Sequence, residues 1–318
     1  MARGRHATTP TEIPKAGWKD IALRVKDEIA ADHVGLTAAG VAFYALLAIF
    51  PAIGAIMAIA GLFAEPAWVS SQIEQLGALL PKQAAELVIG QAVEIAGSAE
   101  GGLTLAALFG VGLALWSASA GMSSMMEGLN IVYDETEKRG FVHYTLMRLV
   151  LTLGVIAGFF LTVLALVAVP VVLSVLPWGS AAETAAMILR WPLVGLIAIA
   201  GLAILYRYGP SRDNAEWKWI TPGAAFAVAL WLVASVAFAF YVRNFGSYQE
   251  SFGSLGGVIV MLTWLWISSY IVLLGAEVDS EMEAQTMHDT TVGRFQEMGE
   301  RGAVKADNLG KAKGAPAE

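Results

Sequence analysis

Six stretches of this sequence, roughly residues 36–63, 103–126, 149–173, 187–206, 222–242 and 255–276, are apolar over the about 20 residues that a helix needs to cross a bilayer. No other feature restricts the fold as much. In lipid every backbone N–H and C=O must find its partner within the chain, so segments of this kind specify helices. The expected fold is all-α, a polytopic membrane protein of six transmembrane helices. Composition agrees: 57% hydrophobic, 15% charged and a mean hydropathy of +0.62 lie outside the range of soluble globular domains. Pro51 falls near the middle of the first segment and Pro170 late in the third, and each removes one backbone hydrogen bond and bends its helix. Thr221 and Pro222 read as the N-cap and first-turn proline of the fifth. The first segment exceeds the bilayer and must tilt, kink or project.

Orientation follows from the lysines and arginines. Seventeen of the 20 lie before the first segment, in the loops 127–148 and 207–221, or after residue 276. Only Lys82, Arg190 and Arg243 occupy the alternate connections. That asymmetry places both termini in the cytoplasm. The chain divides into an N-terminal region 1–35, a membrane domain 36–283 and a tail 284–318 that reads as disordered, its end rich in Gly, Ala and Lys. Residues 1–35 carry six Lys/Arg and no apolar core, so they are not a cleavable leader.

Two further segments have helical patterning. Over 15–30, Trp18, Ile21, Ala22, Val25 and Ile29 form one stripe against Lys15, Lys19, Arg24, Lys26 and Glu28. Such an amphipathic helix lies on the cytoplasmic leaflet or packs on the protein itself, and the two arrangements are compatible. In the outer loop 64–102, Pro81 separates Ile73, Leu76 and Leu80 from Ala84, Leu87, Val88 and Ile95, the pattern of a helical hairpin.

Several function classes are excluded. A net charge of −7 offers no basic face for nucleic acid. There is no cysteine for a thiolate site, and the four histidines are scattered, so neither a metal nor a cofactor is expected. No G-x-x-x-x-G-K-[ST] loop is present for ATP. An enzymatic role is not expected.

Ion-coupled carriers usually place an ionisable group within the bilayer, facing a cavity. Here none falls near a midplane. The charged residues instead gather at cytoplasmic helix ends: Asp32 before the first segment, Glu127 and Asn130 closing the second, Arg148 opening the third, Arg207 closing the fourth and Glu277 the sixth. These residues, with Tyr44 inside the first segment, are the candidate substrate or gate positions. Ion pairs locking helix ends explain them, and so does a gate in which an anionic head group competes for Arg148 or Arg207.

The four acids of L-L-G-A-E-V-D-S-E-M-E (273–283) deserve separate treatment. At 100° per residue Glu277 and Glu281 share a face and Asp279 and Glu283 the nearly opposite one, so they do not converge on a metal. Asp279, Glu281 and Glu283 are expected to solvate the emerging helix, while Glu277 should pair with Arg148 or Arg207. In the second segment W-S-A-S-A-G-M-S-S-M-M (116–126), and at Gly154-x-x-x-Gly158 in the third, small residues favour close helix packing over a polar path.

Several of these stretches carry a resemblance: D-H-V-G-L-T-A-A-G-V-A-F-Y-A-L-L-A-I-F-P (32–51), G-L-N-I-V-Y (128–133) with Arg139, L-Y-R-Y-G-P (205–210), T-P-G-A (221–224), and Tyr241 through W-L-W (264–266) to L-L-G-A-E (273–277). Over about residues 30–285 the chain resembles the BrkB/YihY family of bacterial inner-membrane proteins, once mislabelled ribonuclease BN. It departs from that family at Phe252-Gly253, where a Tyr-Gly pair is usual, so no hydroxyl-dependent role is assigned there. The resemblance implies six spans, cytoplasmic termini and a link to envelope integrity. The expected function is ATP-independent transport or handling of an amphiphilic or anionic envelope substrate such as a lipid. Membrane lipids are the expected partners. The alternatives are a non-transporting scaffold that gathers envelope proteins and, third, an ion-coupled antiporter.

Overall fold

The computed structural model describes residues 3–63, 105–175, 180–244 and 254–313. Among the described residues a 3-10 turn, Pro10–Glu12, precedes eight helices: α1 (Lys15–Ala31), α2 (Val34–Phe63), α3 (Leu105–Val132), α4 (Phe141–Val175), α5 (Ser180–Tyr208), α6 (Trp217–Asn244), α7 (Ser254–Glu283) and the single turn α8 (Val304–Asp307). Among the described residues there is no strand, only an isolated bridge between Ala215 and Thr291. Helices α2 to α7 each overlap one of the six apolar segments. Among the described residues four of them, α4 to α7, are long and apolar enough to cross a membrane alone, and α1 with the first part of α2, to Ile49, passes the same test as a bent pair. Their flanks carry exposed Leu161, Leu164, Leu196, Val233, Val236 and Phe240, a surface that a lipid solvent accommodates and water does not. The outer loop 64–102 and its hairpin fall outside the described residues.

The chain forms two compact units: Met1–Thr37 with Met126–Leu232 and Tyr270–Glu318, and Ala38–Met125 with Val233–Ser269. In the second, α2 and α3 meet through small side chains, and a Cβ built on Gly121 would lie 3.4 Å from the Ala45 Cα. Buried Ser119 donates its hydroxyl to the Trp116 carbonyl of its own helix at 2.6 Å, which satisfies it locally. Phe238 stacks on Trp264, with ring centroids 5.3 Å apart.

The first unit holds the polar part of the molecule. Helices α4 and α5 pack along each other there. Among the described residues nothing occupies the expected packing face on α4: a Cβ at Gly154 or Gly158 would meet no described atom within 4 Å. Helix α6 also begins earlier than the T-P-G-A signal implied. Trp217–Ile220 forms its first turn, with Trp219 and Ile220 buried, so Thr221 is no N-cap; its hydroxyl donates back to the Trp217 carbonyl at 2.7 Å. Burial of an indole outweighs a capping preference worth about 1 kcal/mol.

Helix α1 docks on its own chain. Ile21 and Val25 join Ala7, Ile13, Trp219 and Met282 in one core cluster. Arg24, assigned by its pattern to the polar face, is buried too.

The tail is the largest departure from expectation: through residue 313 it is folded against the N-terminal segment. Gln285 Nε2 donates to the Arg3 carbonyl at 2.6 Å, the Thr286 hydroxyl to that of Ala7 at 2.7 Å, and Arg5 to that of Gly310 at 2.6 Å. Arg301, only 1% exposed, donates to the carbonyls of Met287 (2.7 Å) and Ala306 (2.8 Å) and so closes the loop on itself. Arginine forks saturating backbone carbonyls replace apolar periodicity as the ordering force. Ending the chain after Glu283 is therefore expected to release α1: trypsin should cut rapidly after Lys19, Arg24 or Lys26, sites the full chain protects. Equal protection in both forms would show that the tail does not hold α1.

Candidate functional site

The four acids ending α7 each find a different environment in the first unit, and none is solvated. Glu283 accepts Arg212 Nη2 on both of its carboxylate oxygens at 2.8 Å, and the Thr290 hydroxyl at 2.9 Å. Arg212 in turn lies 4.6 Å from the Tyr133 ring centroid. Glu281 pairs with Arg24 of α1 and accepts Lys305 at 3.0 Å. Asp279 Oδ1 accepts the Gly223 N–H at 2.7 Å. The helical fan of the acids is as the sequence implied, but the tail and α1 surround the helix where water was expected.

Glu277 departs further. Neither Arg148 nor Arg207 meets it; its carboxyl faces that of Asp32, at the break between α1 and α2. Glu277 is fully buried, and among the described residues no N–H or O–H donates a hydrogen bond to either of its oxygens or to Asp32 Oδ2. His33 adopts φ 48° at the same break, which turns the chain from α1 into α2.

The close approach of α6 to α7 explains two motifs at once. A Cβ on Gly275 would lie 2.5 Å from the Tyr206 hydroxyl, 2.7 Å from the Ala227 Cβ and 2.8 Å from the Gly223 carbonyl. A Cβ on Gly223 would collide with the Gly275 carbonyl and the Asp279 carboxyl. T-P-G-A and L-L-G-A-E are thus two halves of one backbone contact, with Tyr206 donating to the Val272 carbonyl at 2.6 Å beside it.

A second contact joins G-L-N-I-V-Y to L-Y-R-Y-G-P. Asn130 Oδ1 accepts the Ser211 N–H at 2.7 Å, and its Nδ2 donates to Glu137 at 3.3 Å. Arg139 grips Glu137 at 2.7 Å and donates to the carbonyls of Tyr208 (3.1 Å) and Gly209 (2.8 Å). Burial raises the Glu137 carboxyl, but hydrogen bonds and charge from Arg139 outweigh it and hold the group at about 2. A carboxyl held below its ordinary value adds stability that is full at neutral pH and is lost progressively as pH falls from the ordinary carboxylate range to about 2, so this corner keeps that stability across the neutral range.

Arg207 ends α5 in an aromatic setting. Its guanidinium lies 4.4 Å from the Trp217 ring centroid and 5.5 Å from that of Tyr208. The residue is 9% exposed, and its Nε and Nη1 are buried with no acceptor among the described residues. Arg148 is half-buried in α4, and Glu127 is exposed. Tyr44, in the second unit, is exposed, with Phe43 edge-on to it at 5.5 Å, so it has a local partner rather than a buried site. Of the seven candidate positions, Asp32 and Glu277 come together; Asn130 and Arg207 act in separate contacts.

A cleft of about 470 Å³ opens between α1 and the tail. Among its lining groups are Glu28, Asp134, Glu281, Lys305 and Lys313. Lys305 spans Glu281 at 3.0 Å and Asp134 at 2.9 Å. Burial would lower the Lys305 ammonium, but these two carboxylates outweigh it and raise it. Arg24, Lys305 and Tyr133 were not legible as site residues, because their partners lie far away in the chain and no local spacing marks them.

Residues 25–297 match the family described as Virulence factor BrkB. A Bacillus subtilis protein given the provisional name of a ribonuclease-like protein, YfkH, is 30% identical over 188 residues, 54% of this chain and 64% of that protein. A UPF0761 membrane protein of Verminephrobacter eiseniae is 26% identical over 273 residues, 84% of this chain and 63% of its own length. One from Tolumonas auensis is 32% identical over 99 residues, 31% of this chain and 32% of its own. The chain thus spans less than two thirds of these relatives. No solved structure matches it.

Proposed function

This chain belongs to the BrkB family and is an integral membrane protein, and on that premise we propose that it moves or handles an amphiphilic, anionic substrate of the bacterial envelope, such as a lipid, at the inner membrane without ATP. In this reading six spans leave both termini in the cytoplasm, as the lysine and arginine asymmetry favours. The observation that carries it is Arg207. A guanidinium held on an indole, with two buried N–H-bearing nitrogens lacking an acceptor, at the end of an apolar helix, is charged, oriented and unsatisfied. A phosphate or carboxylate head group supplies the missing acceptors, while acyl chains follow the exposed apolar flanks. No enzymatic step, metal or cofactor enters this reading.

Native mass spectrometry of the purified protein, combined with a flip assay in vesicles containing a fluorescent anionic lipid, tests it. The wild type is expected to retain anionic lipid and to accelerate flipping. Arg207→Gln should weaken both about tenfold or more, since hydrogen bonds to a charged group are worth about 1.5–3 kcal/mol. Protein partners without bound lipid, and flipping at the protein-free rate, would instead support a scaffold.

A further inference from the structure

Among the described residues the Asp32–Glu277 pair has no cation of its own. The charged groups acting on it are Lys305 and Glu281, with Asp134 and Glu28 also acting on Asp32. Lys305 is already held between Glu281 and Asp134, and Arg24 is committed to Glu281. The three surrounding acids add negative charge rather than relieve it. Two carboxylates facing each other, one of them fully buried, cannot both stay ionised in a medium of low dielectric without a compensating charge. Nor can they hydrogen bond to each other while both are ionised, because each is then an acceptor only. One added proton removes both difficulties: it neutralises one carboxyl and gives it an O–H to donate to the other.

We propose that Asp32 and Glu277 hold a single exchangeable proton between them, and that this proton fastens the α1–α2 corner to the end of α7. The proton enters from water as one carboxylate becomes a carboxylic acid, and it returns to water on release. Loss of the proton leaves two facing negative charges and loosens the corner. This deepens the transport reading by supplying a proton as the coupling ion, and it rests on that reading for its purpose only; the chemistry of the pair stands apart from it.

Infrared difference spectra of the full-length protein in vesicles, recorded through a pH titration in light and heavy water, test the proposal. The wild type should show the carbonyl stretch of a protonated carboxyl at neutral pH. That band should shift in heavy water, fade as the pH is raised, and be missing from both Glu277→Gln and Asp32→Asn. Should one variant not fold, the other with the wild type decides the matter. A wild type without such a band at neutral pH overturns the proposal, as does a band undiminished in a folded variant. Disappearance of the band on adding sodium or potassium at constant pH would overturn it in favour of a metal-cation site. A protein that keeps the band yet neither binds nor flips lipid would refute the transport reading and leave the shared proton standing.

Discussion

Gly275→Ala is expected to cost the protein most of its folded yield. The added methyl has no free volume to enter: the Tyr206 hydroxyl, the Ala227 methyl and the Gly223 carbonyl already occupy it, at 2.5, 2.7 and 2.8 Å from the new carbon. Two of these neighbours cannot step aside. The carbonyl is helix backbone, and Tyr206 is held by its hydrogen bond to the Val272 carbonyl. Overpacking a well-filled core typically costs about 1–3 kcal/mol, and rigid neighbours place this site at or above the upper end. Gly223→Ala, facing the same contact from α6, should behave alike. Gly154→Ala is the control: no described atom lies within 4 Å of the new carbon, and alanine is the better helix former. Thermal unfolding in detergent, read by tryptophan fluorescence, should show lowered midpoints for the first two variants and an unchanged or raised one for the third. If all three melt together, α6 and α7 do not touch as described.

Arg212→Met is expected to be the most damaging change among the charged residues. Arg212 and Glu283 are buried, with 2% and 0% of their side chains exposed, and are joined by two hydrogen bonds of 2.8 Å. Removing one member of a buried pair leaves the other charge without compensation, at a cost of about 3–5 kcal/mol. Arg212→Lys should rescue only part of the loss, because a compact ammonium replaces the delocalised guanidinium beside the Tyr133 ring. The double variant Arg212→Met with Glu283→Gln should recover part of the loss, since the uncompensated carboxylate is then gone. Unfolding midpoints of the wild type, these three variants and Glu283→Gln alone provide the readout. Additive effects in the double variant would mean that the two residues act independently.

The contrast between these two predictions shows which features were legible in the chain. Gly275 and Gly223 stand out in sequence as small residues within apolar helices, yet so do Gly154 and Gly158, and the spacing of the latter pair advertises a packing face more openly. Only the approach of α6 to α7 separates a glycine with no room from one with room to spare. Likewise Glu277, Asp279, Glu281 and Glu283 were distributed correctly around α7 by helical geometry. Their solvation was not, because the groups that cover them, Arg24, Arg212 and Lys305, lie between 24 and 257 residues away in the chain for the pairs concerned. Asn130 was singled out as a helix-end residue, whereas its bond to the turn at Ser211 needed the fold.

The chain by itself determined the solvent and the elements: apolar runs of spanning length demand lipid and helix, because the backbone must bond within its own segment. It also determined the segregation of charge to alternate connections. What only the tertiary structure decided was the pairing of those charges, the folding of the tail over α1, and the meeting of Asp32 with Glu277. Helix formation is local and is written in short-range periodicity. Charge pairing joins residues that are distant in sequence, through contacts that no local pattern encodes. In a medium where every unpaired charge is costly, the partner present, rather than the charge itself, decides whether a carboxylate is a lock, a ligand or the holder of a proton.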